Sequence, residues 1–507
     1  MIISGGQAEQ ERGSSMGNKI FKTANLRKTV NYLKKNGLRH TWYAAKERIG
    51  EEKKSFYVYR EPSGEELAAQ QAGTMDYSEL FSIIVPAYET KETFLRELID
   101  SVRRQSYQNW ELIIADAGSS DGVEKAVAQI LEETGERRIK YSRLAENKGI
   151  SCNTNEGIVQ ASGDYIALLD HDDWLTPDAL YHMASAVHRS RQQGIAPVLL
   201  YSDEDKYDNN EGYFFAPNIK EKFNFDLILS NNYICHFMAV EAAVMKNLLL
   251  RQEYDGAQDY DLVLRVVGGL CEQMPKSQIE TSIIHIPRVL YHWRCHVDST
   301  AENTASKSYA YEAGRAALAD FCKGQGWPVE VEHSLHLGFY EINYQPDILT
   351  VREDVGILGG RILDRHKCIC GGAMDDTGRC LYAGLHREYS GGSTHRAVLK
   401  QDAAAVDVRC MRIRPELRDV FEQITGLAYR EKLVRCERGS GYGRKGREGN
   451  GTESAEPENV RGRIRIADVS GLTCDEAGYR KISMELGRAA AEMGYLVLWD
   501  PQMTIRI

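Results

Sequence analysis

The stretch Gly163–Trp174, GDYIALLDHDDW, indicates the fold of this chain most directly. Its apolar run, Tyr165–Leu169, predicts a short buried strand. The run leads straight into three aspartates, Asp170, Asp172 and Asp173, within four positions. Like charges this close raise one another's pKa, and a bound cation or a shared proton offsets that cost. The alternative is a strand end followed by an acidic turn and a helix start, where Asp is favoured anyway.

The surrounding sequence alternates strand-like and helix-like runs between Phe81 and Asp205. The strand-like runs are FSIIVPAY, WELIIAD, IKYSRL, DYIALLD and PVLLYSDED. Helical patterns separate them, as in TKETFLRELIDSVRRQ, whose apolar residues fall on one face. This βαβαβαβαβ order predicts an α/β fold with a doubly wound, mostly parallel sheet buried on both faces. Such sheets bind ligands in the crevice outside the carboxyl ends of their strands.

Three predicted strand ends carry polar or turn residues at that edge. They are Pro86-Ala87-Tyr88-Glu89, Asp116-Ala117-Gly118-Ser119 and Asp170-His171-Asp172-Asp173. Independent turns have no reason to share one edge, so the coincidence favours a ligand site. The sequence has no G-x-G-x-x-G after the first strand and no G-x-x-x-x-G-K-[ST], which argues against a dinucleotide fingerprint and a P-loop.

Four motifs between Phe81 and about Ala301 resemble the catalytic module of family 2 glycosyltransferases, inverting enzymes with the glycosyltransferase A fold. In order they are SIIVPAYE, ELIIADAGSSDG, ALLDHDD and GAQDYDLVLR. The stretches YSDEDK and LYHWRCHVDSTA resemble the branch that builds bacterial O-antigen and rhamnose-containing cell-wall polysaccharides. The resemblance implies a hexosyl- or rhamnosyltransferase that uses a UDP- or dTDP-linked sugar. Its acceptor would be a hydroxyl of a growing cell-surface polysaccharide or of a lipid-linked saccharide.

The resemblance also implies a divalent metal, Mn²⁺ or Mg²⁺, because the leaving diphosphate concentrates negative charge and hard cations prefer carboxylate oxygens. Asp172 would be the direct metal ligand. Asp170 would face the ribose and the metal-bound phosphates, and Asp173 would support the turn or cap the next helix.

The first two motifs are expected to bind the nucleoside. Four residues of the first motif would line it: Pro86, Ala87, Tyr88 and Glu89. Asp116 would accept a hydrogen bond from the uracil or thymine ring. Family members usually carry a second acidic residue where this chain has Ala117, which makes the base identity less certain.

The general base is expected at Asp259, at the head of the helix in the fourth motif. Inversion requires the acceptor hydroxyl to attack from the face opposite the leaving group while a positioned base takes its proton. The usual Glu before it is Gln258 here, so Asp259 would carry the role alone. The alternative is an acid favoured by the helix dipole. Asp261 points away from Asp259 on a helix and is interpreted as structural.

Each of two further clusters has two possible interpretations. Arg294 and His296 follow the next predicted strand and could hold the diphosphate or complete the metal shell, or form an ordinary surface pair. Asp203–Asp205 could contact donor sugar or acceptor hydroxyls, but a solvated acidic turn is the safer interpretation.

Two other protein classes compete with a transferase. A haloacid-dehalogenase-type phosphatase also uses D-x-D after a strand, here Asp170 and Asp172, but on the first strand of its domain and with Thr or Val where this chain has Trp174. A non-catalytic saccharide-binding or scaffold protein derived from a transferase would explain Ala117 and Gln258.

Charge and composition limit the partners. At 507 residues the chain should hold two to three domains, and a net charge of -10 argues against nucleic acid. The segment Asn18–Arg60 is instead basic, with twelve Lys and Arg against three Glu. It predicts a helix that lies on an anionic membrane or packs on the main domain. No apolar run is long enough to span a membrane and no signal sequence is evident, so we expect a cytoplasmic protein, with peripheral contact at the inner face of the cell membrane left open. The eleven cysteines are interpreted as reduced thiols.

The predicted organisation has five segments. They are a basic, largely helical segment 1–78, the catalytic domain 79–325, a partial second transferase-like α/β module 330–435, a flexible insertion 436–463 and the remainder of the second module 464–507. The stretches DVGILGGRI, VRCMRIRPELRDVF and YRKISMELGRAAAEMGYLVLWDPQM resemble the later, acceptor-side half of a second family 2 module. Gly478-Tyr479-Arg480 stands where the first module has Asp259-Tyr260-Asp261, so we expect no second active site.

Overall fold

A computed structural model describes residues 23–52, 57–74, 76–295, 308–437 and 462–507. The chain begins with helix α1, Thr23–Glu52, which is interrupted at Gly37, where φ is 79°. Helix α2, Gly64–Ala72, follows with Ser63 and Glu66 forming a capping box. Among the described helices, none combines the length and the apolar character that crossing a membrane requires.

The first half of the chain builds a large sheet with helices on both faces. Its strands are β1 Phe81–Ala87, β2 Trp110–Asp116, β3 Ile139–Arg143, β4 Tyr165–Leu168, β5 Trp174–Leu175, β6 Leu199–Asp208, β7 Tyr213–Asn218, β8 Met238–Glu241 and β9 Ile283–Cys295. Its helices are α3 Glu92–Arg103, α4 Gly122–Thr134, α5 Ile150–Gln160, α6 Ala179–Gln192, α7 Phe225–Ile228, α8 Ala242–Leu248, α9 Gln258–Gln273 and α10 Ser308–Gly324.

The strand order of this sheet is β3-β2-β1-β4-β8-β6-β9-β5, with β7 paired to β6. Strands β3, β2, β1 and β4 are parallel to one another, whereas β8 is antiparallel to β4 and to β6. Strand β2 is buried along its whole length because helices cover both faces, which explains the apolar run Leu112–Ala115 at its centre. The predicted α/β fold is confirmed, and its sheet is mixed: β3-β2-β1-β4 and the pair β6–β9 are parallel, whereas β5, β7 and β8 are antiparallel to their partners.

Within the described residues, the second half builds a five-stranded sheet and three separate two-stranded sheets. Its strands are β10 Val329–His333, β11 Tyr340–Tyr344, β12 Val355–Leu363, β13 Ile369–Gly371, β14 Ala373–Met374, β15 Gln401–Asp402, β16 Ala405–Val406, β17 Met411–Ile413, β18 Glu431–Arg435, β19 Arg463–Ala467 and β20 Leu496–Arg506. Its helices are α11 Ile348–Val351, α12 Arg418–Thr425 and α13 Glu476–Glu492. The sheet order is β13-β12-β20-β15, with β17 paired to β12.

Helix α1 packs on the second half. The guanidinium of Arg39 pairs with Glu388 at 2.9 Å. The carboxylate of Glu47 accepts hydrogen bonds from the backbone N–H groups of Ser390, Gly391 and Gly392 at 2.8–3.1 Å. These contacts differ from the predicted packing on the main domain. The proposed domain boundaries stay predictions, and most of the predicted flexible insertion, 438–461, lies outside the described residues.

Candidate active site

The three predicted strand ends meet at one edge of the first sheet. Ala87 on β1 is in register with Asp116 on β2, and Ile84 on β1 is in register with Leu168 on β4. Because these strands are parallel, their carboxyl ends open on the same crevice. The polar residues that follow each strand therefore surround one site.

Glu89 ties the first two strand ends together. Its backbone has a φ of 48°, and its carboxylate accepts hydrogen bonds from the side chains and backbone N–H groups of Ser119 and Ser120 at 2.6–3.1 Å. The hydrogen bonds from Ser120 and Ser119 lower the pKa of Glu89 to about 2. Tyr88 beside it is half exposed.

Asp116 lies behind this loop with its side chain fully buried. One carboxylate oxygen accepts from the Gly118 N–H at 2.8 Å, and the other accepts from the Tyr141 hydroxyl at 2.8 Å. Ala87 is buried and Pro86 is half-buried, so both lie at the base of the loop rather than on its surface. The predicted contact between Asp116 and a nucleobase stays a prediction.

The acidic turn after β4 separates its three aspartates by environment. The Asp170 side chain is 42% exposed, and its carboxylate lies 3.6 Å from the His236 ring. Asp172 is half-buried. Asp173 is fully buried, and it accepts hydrogen bonds from the Tyr291 hydroxyl at 2.5 Å and the Arg294 N–H at 2.7 Å. Asp173 thus fastens the turn to β9 and leaves its two neighbours at the crevice.

The pKa values of this turn reflect crowded negative charge. The Asp170 side chain is partly exposed, but the surrounding protein still removes enough water from it to raise its pKa; Asp172 raises that pKa further, and His236 opposes the shift. Burial raises the pKa of Asp173 well above its usual range, and Asp172 and Asp170 add to that rise. A cation at the turn would relieve this repulsion.

Arg294 lies behind the acidic turn, where its side chain is buried. Its Nε donates to the backbone oxygen of Asp172 at 2.6 Å, and its guanidinium pairs with Glu97 at 2.5 Å. The rings of Phe94 and Trp174 cover it at 4.4 and 4.3 Å. This geometry makes Arg294 a support for the turn and keeps its guanidinium out of the open crevice. His296, predicted as its companion, lies outside the described residues.

His236, before β8, is a site residue that the sequence analysis missed. Its ring stacks on Tyr291 with centroids 4.7 Å apart and interplanar angle 10°. Burial lowers the pKa of His236, but Asp170 and Glu204 raise it more, so the net shift is upward. The motif YICHFMAV contains a histidine at a strand start, which is the only sequence signal for this contact.

Asp259 faces the same crevice from the first turn of α9. Its side chain is half-buried, and one carboxylate oxygen accepts a hydrogen bond from the Asn232 amide at 2.8 Å. Asp259 also lies 3.7 Å from the thiol of Cys235, and the next residue, His236, lies 3.6 Å from Asp170, so one loop contacts both carboxylates. Asp261 points elsewhere, to the guanidinium groups of Arg251 and Arg265, as its structural interpretation predicts.

The prediction of a solvated turn at Asp203–Asp205 is wrong. These residues lie inside β6, and all three side chains are buried. Asp203 pairs with the His285 ring at 2.8 Å, and Asp205 pairs with the His292 ring at 2.5 Å and accepts from the Tyr57 hydroxyl at 2.6 Å. Strand β6 continues through this acidic stretch because β7 and β9 pair with it on either side.

The described residues can hold a cation whose coordination shell is completed by atoms of a bound ligand. No three His, Cys, Asp or Glu side chains within the described ranges are placed to hold an ion by themselves. One or two carboxylates are nevertheless sufficient where substrate phosphates complete the shell, as is usual for Mg²⁺. Asp170 and Asp172 supply hard oxygen ligands at the crevice.

Comparison with known proteins gives three findings. The family model described as Glycosyl transferase family 2 matches residues 82–249. The chain is 34% identical over 275 residues to the O-antigen biosynthesis protein RfbC of Myxococcus xanthus, which covers 54% of this chain and 20% of that protein. It is 31% identical over 216 residues to the putative colanic acid biosynthesis glycosyl transferase WcaA of Escherichia coli, which covers 42% of this chain and 74% of that protein. The chain thus spans about a fifth of the Myxococcus relative.

A solved structure of S. aureus TarS 1-349 in complex with UDP aligns with a TM-score of 0.35 at 17% identity, covering 48% of this chain and 65% of that one.

Proposed function

The chain belongs to glycosyl transferase family 2, and on that premise we propose that it transfers a sugar from a UDP- or dTDP-linked donor to a saccharide hydroxyl. The acceptor in this proposal is a growing cell-surface polysaccharide or a lipid-linked saccharide, and the product has inverted anomeric configuration. One observation carries the proposal. At the carboxyl ends of the strands, Asp170 lies 3.6 Å from the His236 ring, and Asp259, from a separate element, lies 3.7 Å from the thiol of Cys235, the residue before His236.

The donor occupies the crevice beside the first three strand ends. Tyr88 and the loop that Glu89 fastens line the nucleoside, and Asp116 lies beneath that loop. Asp172 and Asp170 hold Mn²⁺ or Mg²⁺, which supplies charge neutralisation for the departing diphosphate. Arg294 acts through the turn, because its bond to the Asp172 backbone orients the carboxylates.

Asp259 acts as the general base. The Asn232 amide holds one of its oxygens, which orients the carboxylate, and the acceptor hydroxyl gives its proton to the other. Asp259 belongs to α9 and the acidic turn follows β4, so the proposed base and the proposed metal ligands come from separate elements.

The protein also contacts an anionic membrane surface through α1 in this proposal, at the inner face of the cell membrane. Leu38, Trp42 and Ile49 are 79%, 58% and 46% exposed, and Arg39 and Lys46 flank them. An exposed apolar set among basic residues suits the interface of an anionic bilayer. Trp42→Glu should reduce co-sedimentation with phosphatidylglycerol vesicles, whereas unchanged sedimentation would contradict this contact.

The test of the proposed activity is turnover of nucleotide sugars with and without Mn²⁺, followed by NMR of the product's anomeric configuration. The proposal expects cation-dependent release of UDP or dTDP and an inverted product. A retained configuration would contradict the mechanism. Binding of nucleotide without any turnover would instead support a non-catalytic saccharide-binding protein.

A further inference from the structure

Cys235 lies in the loop between α7 and β8, in contact with the proposed base. Its thiol is half-buried and lies 3.7 Å from Oδ2 of Asp259. The Asn232 amide donates to the same oxygen at 2.8 Å. Within the described ranges, Oδ1 of Asp259 accepts no hydrogen bond. Two donors from one loop therefore converge on a single oxygen of the base and leave the other oxygen for a substrate.

The backbone of Cys235 is strained and is held by hydrogen bonds on both sides. Its φ is 39°, in the left-handed region that residues other than glycine rarely adopt. The buried ammonium of Lys220 donates to the carbonyl oxygen of Ile234 at 2.5 Å and to that of His236. The side-chain oxygen of Asn232 accepts from the Cys235 N–H at 3.2 Å. Strain of this kind persists only where surrounding contacts enforce it, and it is concentrated at functional sites.

The second half of the chain fastens the start of this loop. The backbone N–H of Tyr340 donates to the Ser230 oxygen at 2.8 Å, and the Ser230 hydroxyl donates to the Lys400 oxygen at 3.4 Å. The Tyr340 ring also stacks on Tyr260, the residue after Asp259, with centroids 5.9 Å apart. One residue of the second half therefore contacts both the loop and the helix that carries the base.

The surroundings of the Cys235 thiol keep its proton in place. The protein removes water from the half-buried thiol, which raises the pKa of Cys235 well above its usual range, and the charges of Glu204 and Asp259 raise it further. A protonated thiol is a hydrogen-bond donor, although a weak one, and it is a poor nucleophile. The thiol is thus suited to donate to the carboxylate beside it rather than to react.

We propose that Cys235 is a positioning residue for the base. With Asn232 it fixes Oδ2 of Asp259, so that Oδ1 faces the acceptor hydroxyl and takes its proton. The acceptor oxygen forms its bond to the anomeric carbon as the bond from that carbon to the diphosphate breaks. This inference rests on the proposed transferase function, and it adds the residue that sets the orientation of the base.

Initial rates of the full chain with the nucleotide sugar that it turns over test this role. Cys235→Ala should lower kcat about three- to ten-fold, because it removes one donor to the base. The calorimetric Kd for UDP or dTDP should stay unchanged, because the donor site is untouched. Cys235→Ser keeps a donor at the same place and should recover most of the lost rate. Cys271→Ala is the matched control, since it removes another half-buried thiol at the far end of α9, and it should leave kcat unchanged.

A double-mutant cycle separates positioning from a purely structural role. In the Asp259→Asn background, Cys235→Ala should cause no further loss of kcat, because no base is left to orient. An equal loss with and without Asp259 overturns the inference. A large loss in Asp259→Asn together with an unchanged kcat in Cys235→Ala overturns this inference alone. Transfer by Asp259→Asn within about three-fold of wild type overturns the proposed base as well.

Discussion

Strand β6 in the first half lies between antiparallel β8 and parallel β9, and strand β12 in the second half lies between antiparallel β17 and parallel β20. A hairpin strand pairs with the central strand in each case, β7 with β6 and β13 with β12. A long helix precedes the last strand in both, α9 in the first half and α13 in the second. The second half therefore repeats the arrangement that carries the proposed base.

The two copies differ at the start of that helix. In α9, Asp259 is half-buried and is held by an amide, which leaves a carboxylate facing the crevice. In α13, the acid of the first turn is Glu476, whose two oxygens pair with Arg409 at 2.6 and 2.8 Å. The second half also has, among its described residues, no counterpart to the parallel strands β1–β4 that hold the acidic turn. The strand arrangement alone is therefore not sufficient to make a donor site.

The largest expected effect is on the rate of transfer, and it distinguishes the acid at the start of α9 from the acid at the start of α13. Asp259→Asn should lower transfer by about 10²- to 10⁴-fold, because it removes the base without emptying the nucleotide site. Glu476→Gln should leave transfer unchanged, because that acid is neutralised by Arg409. Initial rates with the preferred nucleotide sugar measure both. Transfer by Asp259→Asn within about three-fold of wild type would make Asp259 a helix-terminal acid only.

The next effect concerns how the halves are joined. Arg352, fully buried at the start of the second half, forms two hydrogen bonds with Asp226 of the first half at 2.8 and 2.9 Å. Arg352→Met should lower the free energy of unfolding by about 3–5 kcal/mol, because it leaves a buried carboxylate unpaired. Urea unfolding measures this change.

The surface pair of Arg379 with Asp375 is the control for that variant, since the Arg379 side chain is 78% exposed. Arg379→Met should cost no more than about 1 kcal/mol. Equal losses in the two variants would mean that the buried pair does not join the halves.

The smallest expected effect is pH-dependent and confined to the loop that receives α1. Burial lowers the pKa of His395 to about 4, and its Nδ1 lies 2.8 Å from the Ser390 hydroxyl. In the unfolded chain the His395 side chain has a pKa of about 6.5. Between pH 6.5 and 4 the unfolded chain therefore binds more protons than the folded chain. Stability should therefore fall by about 1–3 kcal/mol as pH drops through that window.

His395→Gln should flatten this part of the stability profile, measured as the difference from wild type in urea unfolding at several pH values. Parallel profiles for the two proteins would contradict a depressed pKa at His395.

Much of the fold and part of the site follow from local sequence. The alternation of buried strands and amphipathic helices predicts the sheet. Parallel strands end at the same edge of a sheet whatever side chains they carry, and this brings Asp116 and Asp170 to one edge. The acid at the head of α9 is likewise visible as a motif. These features depend on neighbours in sequence.

The missed features depend on long-range contacts. His236 reaches Asp170 only because β8 is inserted antiparallel beside β4. Arg294 is withdrawn from the crevice by Phe94 and Trp174, which come from two distant elements. The acidic stretch of β6 is buried because histidines of β9 pair with it. These partners are distant in sequence, so the charge of the stretch alone predicted a solvated turn.

We propose that the first half holds a single donor site and that the second half holds none. Calorimetric titration of the full chain with UDP or dTDP in the presence of Mn²⁺ tests it most directly. One nucleotide should bind per chain, and none should bind to Asp172→Ala, because the diphosphate then lacks its cation. Two nucleotides per chain, or undiminished affinity in Asp172→Ala, would contradict it.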